Sequence, residues 1–344
     1  MKIKDICTSV TDGSHNPPLG IEKSEYMMLS SKNIFDDEIT FDEPRFLTER
    51  DFEKEHRRTK IAVGDVLFTI VGTVGRIAVV DEDMPTFALQ RSVAVLHPKN
   101  DVCLPRFLMY ALRGKRTYIE NRAKDVAQKG IYLKEVSDID IHIPDISNQE
   151  IIINKLDKVN AIIKLRQKEL LVLDNFIKAR FVEMFGDPIR NTQNRPTTEF
   201  INVVRMQRGF DLPVQDRQQD GKIPVYGSNG VLDHHNVAKI QGGGVITGRS
   251  GTIGKVFYTE GDYWPLNTSL FSVDTHGNNV IYLAYLLQLF NLTRFVEGTG
   301  VPSLNRNMFH NKQIIDAPIE EQNQFADFVH QVDKSKFGKL STLL

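Results

Sequence analysis

Gln90-Arg91-Ser92 and Asn267-Thr268-Ser269 are polar runs set directly ahead of apolar strands, and their side chains carry the groups that base edges require. An Asn or Gln amide can pair bidentately with adenine, and an Arg guanidinium with O6 and N7 of guanine. Each such pairing discriminates by about 1–3 kcal/mol. Other residues suit bases or a phosphate backbone: Ser14, His15, Lys32, Thr69, Thr73 and Arg76 in the first half of the chain. Tyr226, Ser228, Asn229, Arg249, Ser250, Lys255, Asn305 and Arg306 do so in the second half. Gln90, Arg91, Asn267 and Thr268 complete the candidate set. Exposed strand ends carry similar residues, so each signal is weak alone and gains weight only from position.

Catalytic patterns are weaker still. Asn16-Pro17-Pro18-Leu19 resembles the Asn-Pro-Pro-aromatic motif with which adenine-N6 methyltransferases hold a target amino group. That chemistry also needs a Gly-rich cofactor loop after a first strand. No such loop precedes residue 16, and Leu19 cannot stack on a base. The two prolines, with Asp12-Gly13-Ser14-His15 ahead of them, read instead as a rigid turn. Gly72-Thr73-Val74-Gly75 and Gly251-Thr252-Ile253-Gly254 lack the GxxxxGK[ST] spacing of a phosphate loop and read as tight turns that present their neighbours. The nine histidines show no HExxH spacing, and His234-His235 reads as a loop rather than a metal site. Cys7 and Cys103 are too far apart for a CxxC site, and no Ser/His/Asp or Cys/His arrangement follows from spacing. The expectation is a chain with no catalytic centre, no metal and no cofactor of its own.

Composition bounds the partners. A length of 344 residues favours two domains, each able to bury a core. Hydrophobic content of 41% and charged content of 25% are ordinary for a soluble globular protein. The start Met1-Lys2-Ile3-Lys4 lacks the apolar core of a signal peptide, and the apolar run 282–290 is far short of the ~18 residues of a membrane span. A cytoplasmic protein is expected. Net charge is −1, with residues 1–146 slightly acidic and residues 188–317 slightly basic. A stand-alone nucleic-acid binder usually shows a basic patch or stripe. Here such a patch must be assembled in three dimensions or shared with a partner.

The chain repeats itself. Residues 64–76 return as 243–255, and Leu89-Gln90-Arg91-Ser92 answers to Leu266-Asn267-Thr268-Ser269. Phe107-Leu108-Met109-Tyr110 answers to Tyr282-Leu283-Ala284-Tyr285, and Ile143-Pro144 with Gln149 to Ala317-Pro318 with Gln322. A period this long implies two homologous domains rather than a solenoid, whose units run about 20–50 residues. Strands are expected at 66–70, 77–80, 92–96 and 139–143, and again at 245–247, 255–258 and 270–273. Helices are expected near 105–122 and 280–295.

Between the copies, residues 147–185 hold neither Gly nor Pro, and Ser147 with Glu150 reads as a capping box. Ile152, Leu156, Val159, Ile163, Leu170, Leu173, Ile177 and Met184 alternate four and three apart, with Arg166 and Arg180 in two seam positions. This 3.5-residue period predicts a coiled coil. Phe325, Val329, Val332, Leu340 and Leu343 resume the spacing, interrupted by Lys336, and can pack antiparallel on the first helix. The second run is shorter, with no full counterpart to residues 165–185, so part of the long helix is expected to lack an intramolecular partner.

The order domain, long helix, second domain, helix resembles the DNA-specificity (S) subunit of type I restriction-modification systems. The first-domain motifs are Thr11-Asp12-Gly13-Ser14-His15, Gly64-Asp65-Val66-Leu67 with Gly72-Thr73-Val74-Gly75, and Gln90-Arg91-Ser92-Val93. Pro224-Val225-Tyr226-Gly227-Ser228-Asn229-Gly230, Arg249 to Gly254 and Pro318 to Gln322 carry it in the second. The resemblance implies an α/β (α+β) chain, with two mixed α/β target recognition domains at 1–146 and 188–318. Conserved helices at 147–187 and 319–344 would join them as an antiparallel coiled coil. It further implies that each domain reads half of a bipartite double-stranded DNA target, and that methyltransferase (M) and restriction (R) subunits dock on this chain. S-adenosylmethionine, ATP and Mg would then sit on those partners, and the unpaired part of the long helix would offer a place for self-association. Two readings of other classes stand beside this one: a self-sufficient adenine-N6 DNA methyltransferase, and a coiled-coil protein-interaction scaffold.

Overall fold

Strand sequences such as Val66-Leu67-Phe68 and Val93-Ala94-Val95-Leu96 are apolar at every position, as expected of strands covered on both faces. The structure, a computed structural model, describes residues 1–124, 130–218, 220–298 and 302–338. It divides into two compact units, Met1–Lys164 and Leu165–Leu344.

In unit 1, strands β1 (Cys7–Asp12), β2 (Val66–Thr69), β3 (Ile77–Val79) and β4 (Val93–Pro98) form an antiparallel sheet in the order β1-β4-β2-β3. Val66, Phe68, Ala94 and Leu96 pack with Phe107 and Leu108 of helix α1 (Pro105–Arg113). Leu67, Ala78, Val93 and Val95 face the other way and meet Leu29, Phe87 and Leu89. These belong to a small sheet of Met27–Leu29, Arg45–Phe46 and Phe87–Leu89. Cover on both faces explains the unbroken apolar runs.

Unit 2 repeats the plan. Strands β5 (Arg205–Arg208), β6 (Gly244–Gly248), β7 (Val256–Thr259) and β8 (Ser269–Asp274) take the matching order β5-β8-β6-β7. Val245 and Leu270 pack with Tyr282 and Leu283 of a helix over Val280–Phe290, while Ile246 and Phe271 meet Tyr226 and Tyr263.

Backbone hydrogen bonds correct the sequence register of the repeat. Gln90 N–H donates to Leu29 O, as Leu266 N–H does to Tyr226 O; Ser14 N–H donates to Leu89 O, as Phe210 N–H does to Pro265 O. Gln90 therefore answers to Leu266, Arg91 to Asn267 and Ser92 to Thr268, one residue off the alignment read from side-chain types. The glycine turns match as read: Gly72 and Gly75 have φ of 81° and 93°, as do Gly251 and Gly254. Only glycine adopts such angles without strain.

Three other expectations change. Residues 139–143 form no strand, only the bridge Lys2↔Asp140, because the chain's first residues supply a single pairing position there. The helix expected at 105–122 is two, Pro105–Arg113 and Arg116–Lys124, broken at Gly114. The one at 280–295 ends at Phe290, where Asn291 turns left-handed and a 3-10 turn over Leu292–Phe295 follows.

The long helix α2 (Ile146–Phe185) runs 40 residues, a length of roughly 60 Å at 1.5 Å per residue. Its cap is Asp145, whose Oδ1 accepts from Asn148 N–H at 2.8 Å; Ser147 already lies within the first turn. Gly186, with φ of 81°, ends it.

Gln149, fully buried, fastens its start. It accepts from Leu104 N–H at 2.8 Å and donates to Val102 O at 2.9 Å and Pro144 O at 2.8 Å. Gln322 does the same in unit 2, accepting from Asn279 N–H at 2.9 Å and donating to Ala317 O at 2.8 Å. Gln149→Ala strands the Leu104 N–H and two carbonyls in the interior. It is expected to cost about 2–4 kcal/mol of unit 1 stability in denaturant unfolding, where an exposed Gln167→Ala changes almost nothing.

Past Gln149, the face of α2 turned to unit 1 is Ile153, Asp157, Asn160 and Lys164. Asp157 binds Arg106 and the Tyr110 hydroxyl, and Asn160 donates to Asp37 at 2.7 Å. The expected seam residues Ile152, Leu156, Val159 and Ile163 are instead 36–52% exposed, with no covering helix among the described residues. In unit 2 the seam closes. Leu170 and Leu173 are half-buried, Ile177 is buried, and helix α4 (Ile319–Gly338; α3 being Val280–Phe290) packs on them antiparallel. Phe325 meets Phe181 and Phe185, Phe328 meets Phe176, and Lys336 Nζ reaches Asp174 at 2.8 Å. Arg166 donates to the Lys336 carbonyl, which accounts for a charged residue in the seam. Phe325, Val329 and Val332 are buried. Leu340 and Leu343 lie outside the described residues.

Candidate nucleic-acid interface

One loop edge in each unit gathers most of the candidate residues. In unit 1 the strand-end loop Gly13-Ser14 runs against Leu89-Gln90: a Cβ on Gly13 would stand 2.1 Å from Leu89 O, so no larger residue fits. Arg91 N–H donates to Ser14 O at 2.9 Å, Ser31 N–H donates to Ser92 Oγ at 3.0 Å, and Val71 N–H bonds Ser92 O. Ser14, Gln90, Arg91 and the 71–75 turn with Thr73 are thereby brought together. Arg91 and Thr73 are exposed there, and Gln90 is half-buried.

Unit 2 builds the same edge with different side chains. A Cβ on Gly209 would stand 2.2 Å from Leu266 O, and Arg249 N–H donates to Thr268 O at 2.9 Å. Ser250 bridges to Ser303, and Leu304 N–H donates to Arg249 O at 2.8 Å. Lys255 Nζ donates to Asn229 Oδ1 at 2.8 Å, and the Asn267 amide donates to Asp211. Ser228, Asn229, Arg249, Ser250, Lys255, Asn267, Thr268, Asn305 and Arg306 thus share one edge.

Three candidates are withdrawn by burial, and Ser14, 4% exposed with its backbone tied to Leu89 and Arg91, is the first. Thr69 is fully buried, and its hydroxyl ties the turn by donating to Thr73 O and accepting from Arg76 N–H at 2.9 Å. Tyr226 is 8% exposed and packs edge-on against Tyr263 at 6.0 Å in the core between sheets. All three residue types suit DNA, but here packing uses them. Lys32 shares a surface hollow with Glu38, Asp42 and Glu43 and pairs with Glu43 at 3.7 Å, a poor surround for a phosphate. Arg76 lies over the Phe35 ring at 4.8 Å. His15 stands 2.7 Å from Asp12, which also accepts from Arg58 Nη2 at 3.1 Å, so this buried carboxylate is doubly partnered. Leu19 of the Asn-Pro-Pro run is 92% exposed, and Pro18 O accepts from Arg45 at 2.7 Å. That run is a turn.

Sequence reasoning missed Arg58 and Arg208. Arg58 sits on a helix over Glu49–Thr59 and reaches the edge only through the fold. Arg208 ends β5 next to Gly209, and the matched Gly13 and Gly209 could have flagged it. Among the described residues no group of His, Cys, Asp and Glu is placed to hold a metal ion, and no helix is long and apolar enough to cross a membrane.

Comparisons with known proteins place this arrangement. The family described as type I restriction modification DNA specificity domain matches residues 1–175 and 191–342. The EcoBI type I restriction enzyme specificity subunit of Escherichia coli is 27% identical over 160 residues, 46% of this chain and 32% of that protein. The chain thus spans about a third of the length of that curated relative. A solved S subunit of a type I restriction-modification system from M. genitalium aligns over 100% of this chain and 92% of its own, with a TM-score of 0.56. At 14% identity that likeness shows a shared fold.

Proposed function

Because the chain belongs to the type I restriction-modification DNA specificity family, we propose that it is the subunit that chooses the DNA sequence on which methyltransferase and restriction partners act. Each unit reads one half of a bipartite double-stranded target through its loop edge. The observation that carries this reading is one backbone frame bearing two different sets of donors and acceptors. Arg91 and Ser92 stand where Asn267 and Thr268 stand: Leu89 O and Pro265 O accept from Ser14 and Phe210, and Ser92 O and Thr268 O accept from Ile70 and Arg249. Identical readers would suit a true palindrome; like frames with unlike side chains suit two different half-sites.

In this reading S-adenosylmethionine lies on the methyltransferase subunits, and ATP and Mg on the restriction subunit. The chain contributes base choice and a docking surface. That surface is the open stripe Ile152, Leu156, Val159 and Ile163 of α2. Counting from the matched glutamines, these residues answer to Phe325, Val329, Val332 and Lys336 of α4, all buried against a helix. A helical partner is the occupant their equivalents lead us to propose, and a methyltransferase subunit is the one the family supplies.

The test is footprinting and gel-shift of the chain assembled with its cognate methyltransferase subunits. We expect protection of a split sequence, two short read segments around an unread spacer. A stable assembly that prefers no such sequence would overturn the proposal.

A further inference from the structure

Three arginines of unit 2 converge without counter-charge. Arg208, Arg249 and Arg306 line one cleft of about 310 Å³ together with Ser303, Asn305 and Asn307. Arg249 and Arg306 are half-buried and Arg208 is exposed. Among the described residues none of the three forms an ion pair, and no acidic side chain lines the cleft. By contrast, Arg205 faces Asp274 at 3.9 Å and Arg217 faces Asp233 at 3.6 Å. Three like charges held close repel one another, and half-burial of two of them removes part of the water that would screen them.

His310 lies near one of the three, Arg306. Burial first, then the Arg306 and Arg205 charges, push its pKa below the ordinary imidazole value. Its Nε2 accepts from Met206 N–H at 3.2 Å, so it is held as the neutral ring. The charge of the cleft lining suits an anion.

Among the described residues unit 1 has no such feature at the matching positions. Gly13 N–H bonds Val93 O as Gly209 N–H bonds Ser269 O, so Arg208 answers to Asp12. Ile131 N–H bonds Ile70 O as Leu304 N–H bonds Arg249 O, so Arg249 answers to Ile70 and Arg306 to Leu133. One frame thus carries three arginines in unit 2, and a partnered aspartate with two aliphatic residues in unit 1.

We propose that the Arg208–Arg249–Arg306 cleft seats one phosphate group of the DNA backbone, and that unit 2 alone carries this seat. The inference rests on the DNA-reading function above and deepens it: the two units divide the labour unequally, unit 2 adding a backbone anchor to base reading. Arginine forks and the Asn305, Asn307 and Ser303 side chains match the oxygens of a tetrahedral dianion or phosphodiester. A backbone contact fixes register without naming a base.

Two measurements test it. In the free chain, side-chain Nε–Hε resonances of the three arginines, assigned with R208Q, R249Q and R306Q, are followed during addition of inorganic phosphate at constant ionic strength. Saturable shifts of these three signals, absent with chloride, are expected; no shift overturns the seat. In the chain assembled with methyltransferase subunits, the R249Q/R306Q variant is compared with wild type across salt concentrations. We expect affinity for the target to fall about tenfold or more. The slope of log K against log salt should shrink by about one, the share of one phosphate, with the same bases methylated. An unchanged slope, or altered base preference in one half-site, overturns the proposal. A wild-type assembly that binds no split target refutes the DNA-reading function, and the phosphate titration then decides the cleft by itself.

Discussion

Phe181→Ala is expected to lower the stability of unit 2 by about 3–5 kcal/mol. Phe181 is fully buried near the end of α2. Its ring stacks on Tyr282 at 5.6 Å, meets Phe325 edge-on at 5.3 Å and touches Phe185 at 4.8 Å. These contacts join three helices, so truncation opens a cavity that none of them can close without moving away from the others. Aromatic pairs add about 0.5–1.5 kcal/mol each beyond their buried area. In a unit of this size each kcal/mol lowers the melting midpoint by about 2–4 °C, so a fall on the order of 10 °C should appear in the unit 2 transition. Phe176→Ala, a ring 53% exposed on the same helix, serves as the control and should cost far less. Equal effects from the two variants would show that the cluster does not hold α2 to unit 2.

Phe181 also marks where sequence periodicity stopped being a guide. A strict 3.5-residue pattern steps from Ile177 to Met184, and Met184 is only half-buried. The buried residues are Ile177, Phe181 and Phe185, four apart, because here α2 ceases to be one strand of a coil and becomes a core helix under Tyr282 and Phe325. The period of a helix tells which residues share a face, but what covers that face is decided elsewhere in the chain. For the same reason an unpartnered stretch of the long helix was legible, but not that it would fall on Ile152, Leu156, Val159 and Ile163. The repeat was legible because its glycine turns are demanded by backbone angle, which side-chain drift cannot disguise. Its polar loops were aligned one residue off, since Leu89 and Leu266 look alike while Leu89 O and Pro265 O are the equivalent acceptors, of Ser14 N–H and Phe210 N–H. Thr69 and Tyr226 have the composition of an interface and the burial of a core, a difference only packing reveals. Arg208 gained meaning once Arg249 and Arg306, distant in sequence, stood beside it.

The open seam leads to the second large effect. Val159→Asp with Ile163→Asp is expected to leave the isolated chain's thermal stability within about 0.5 kcal/mol, since both side chains already face water, at 52% and 49% exposure. Val332→Asp, at the matched position in α4, is expected to destabilise unit 2 by several kcal/mol, because Val332 is 7% exposed and its carboxylate would be buried unpaired. The contrast isolates the open stripe as a surface awaiting a partner. Docking a helix there would bury the two new charges, and losing about 3–5 kcal/mol of association energy corresponds to a hundredfold or greater loss of affinity for methyltransferase subunits. Sedimentation of the isolated chain over a range of concentrations separates the candidate occupants. A wild-type dimer that the double variant dissolves would assign the stripe to a second copy and displace the methyltransferase assignment. Unchanged methyltransferase binding by the double variant would leave the stripe a solvated face, because no apolar contact survives two aspartates at its centre.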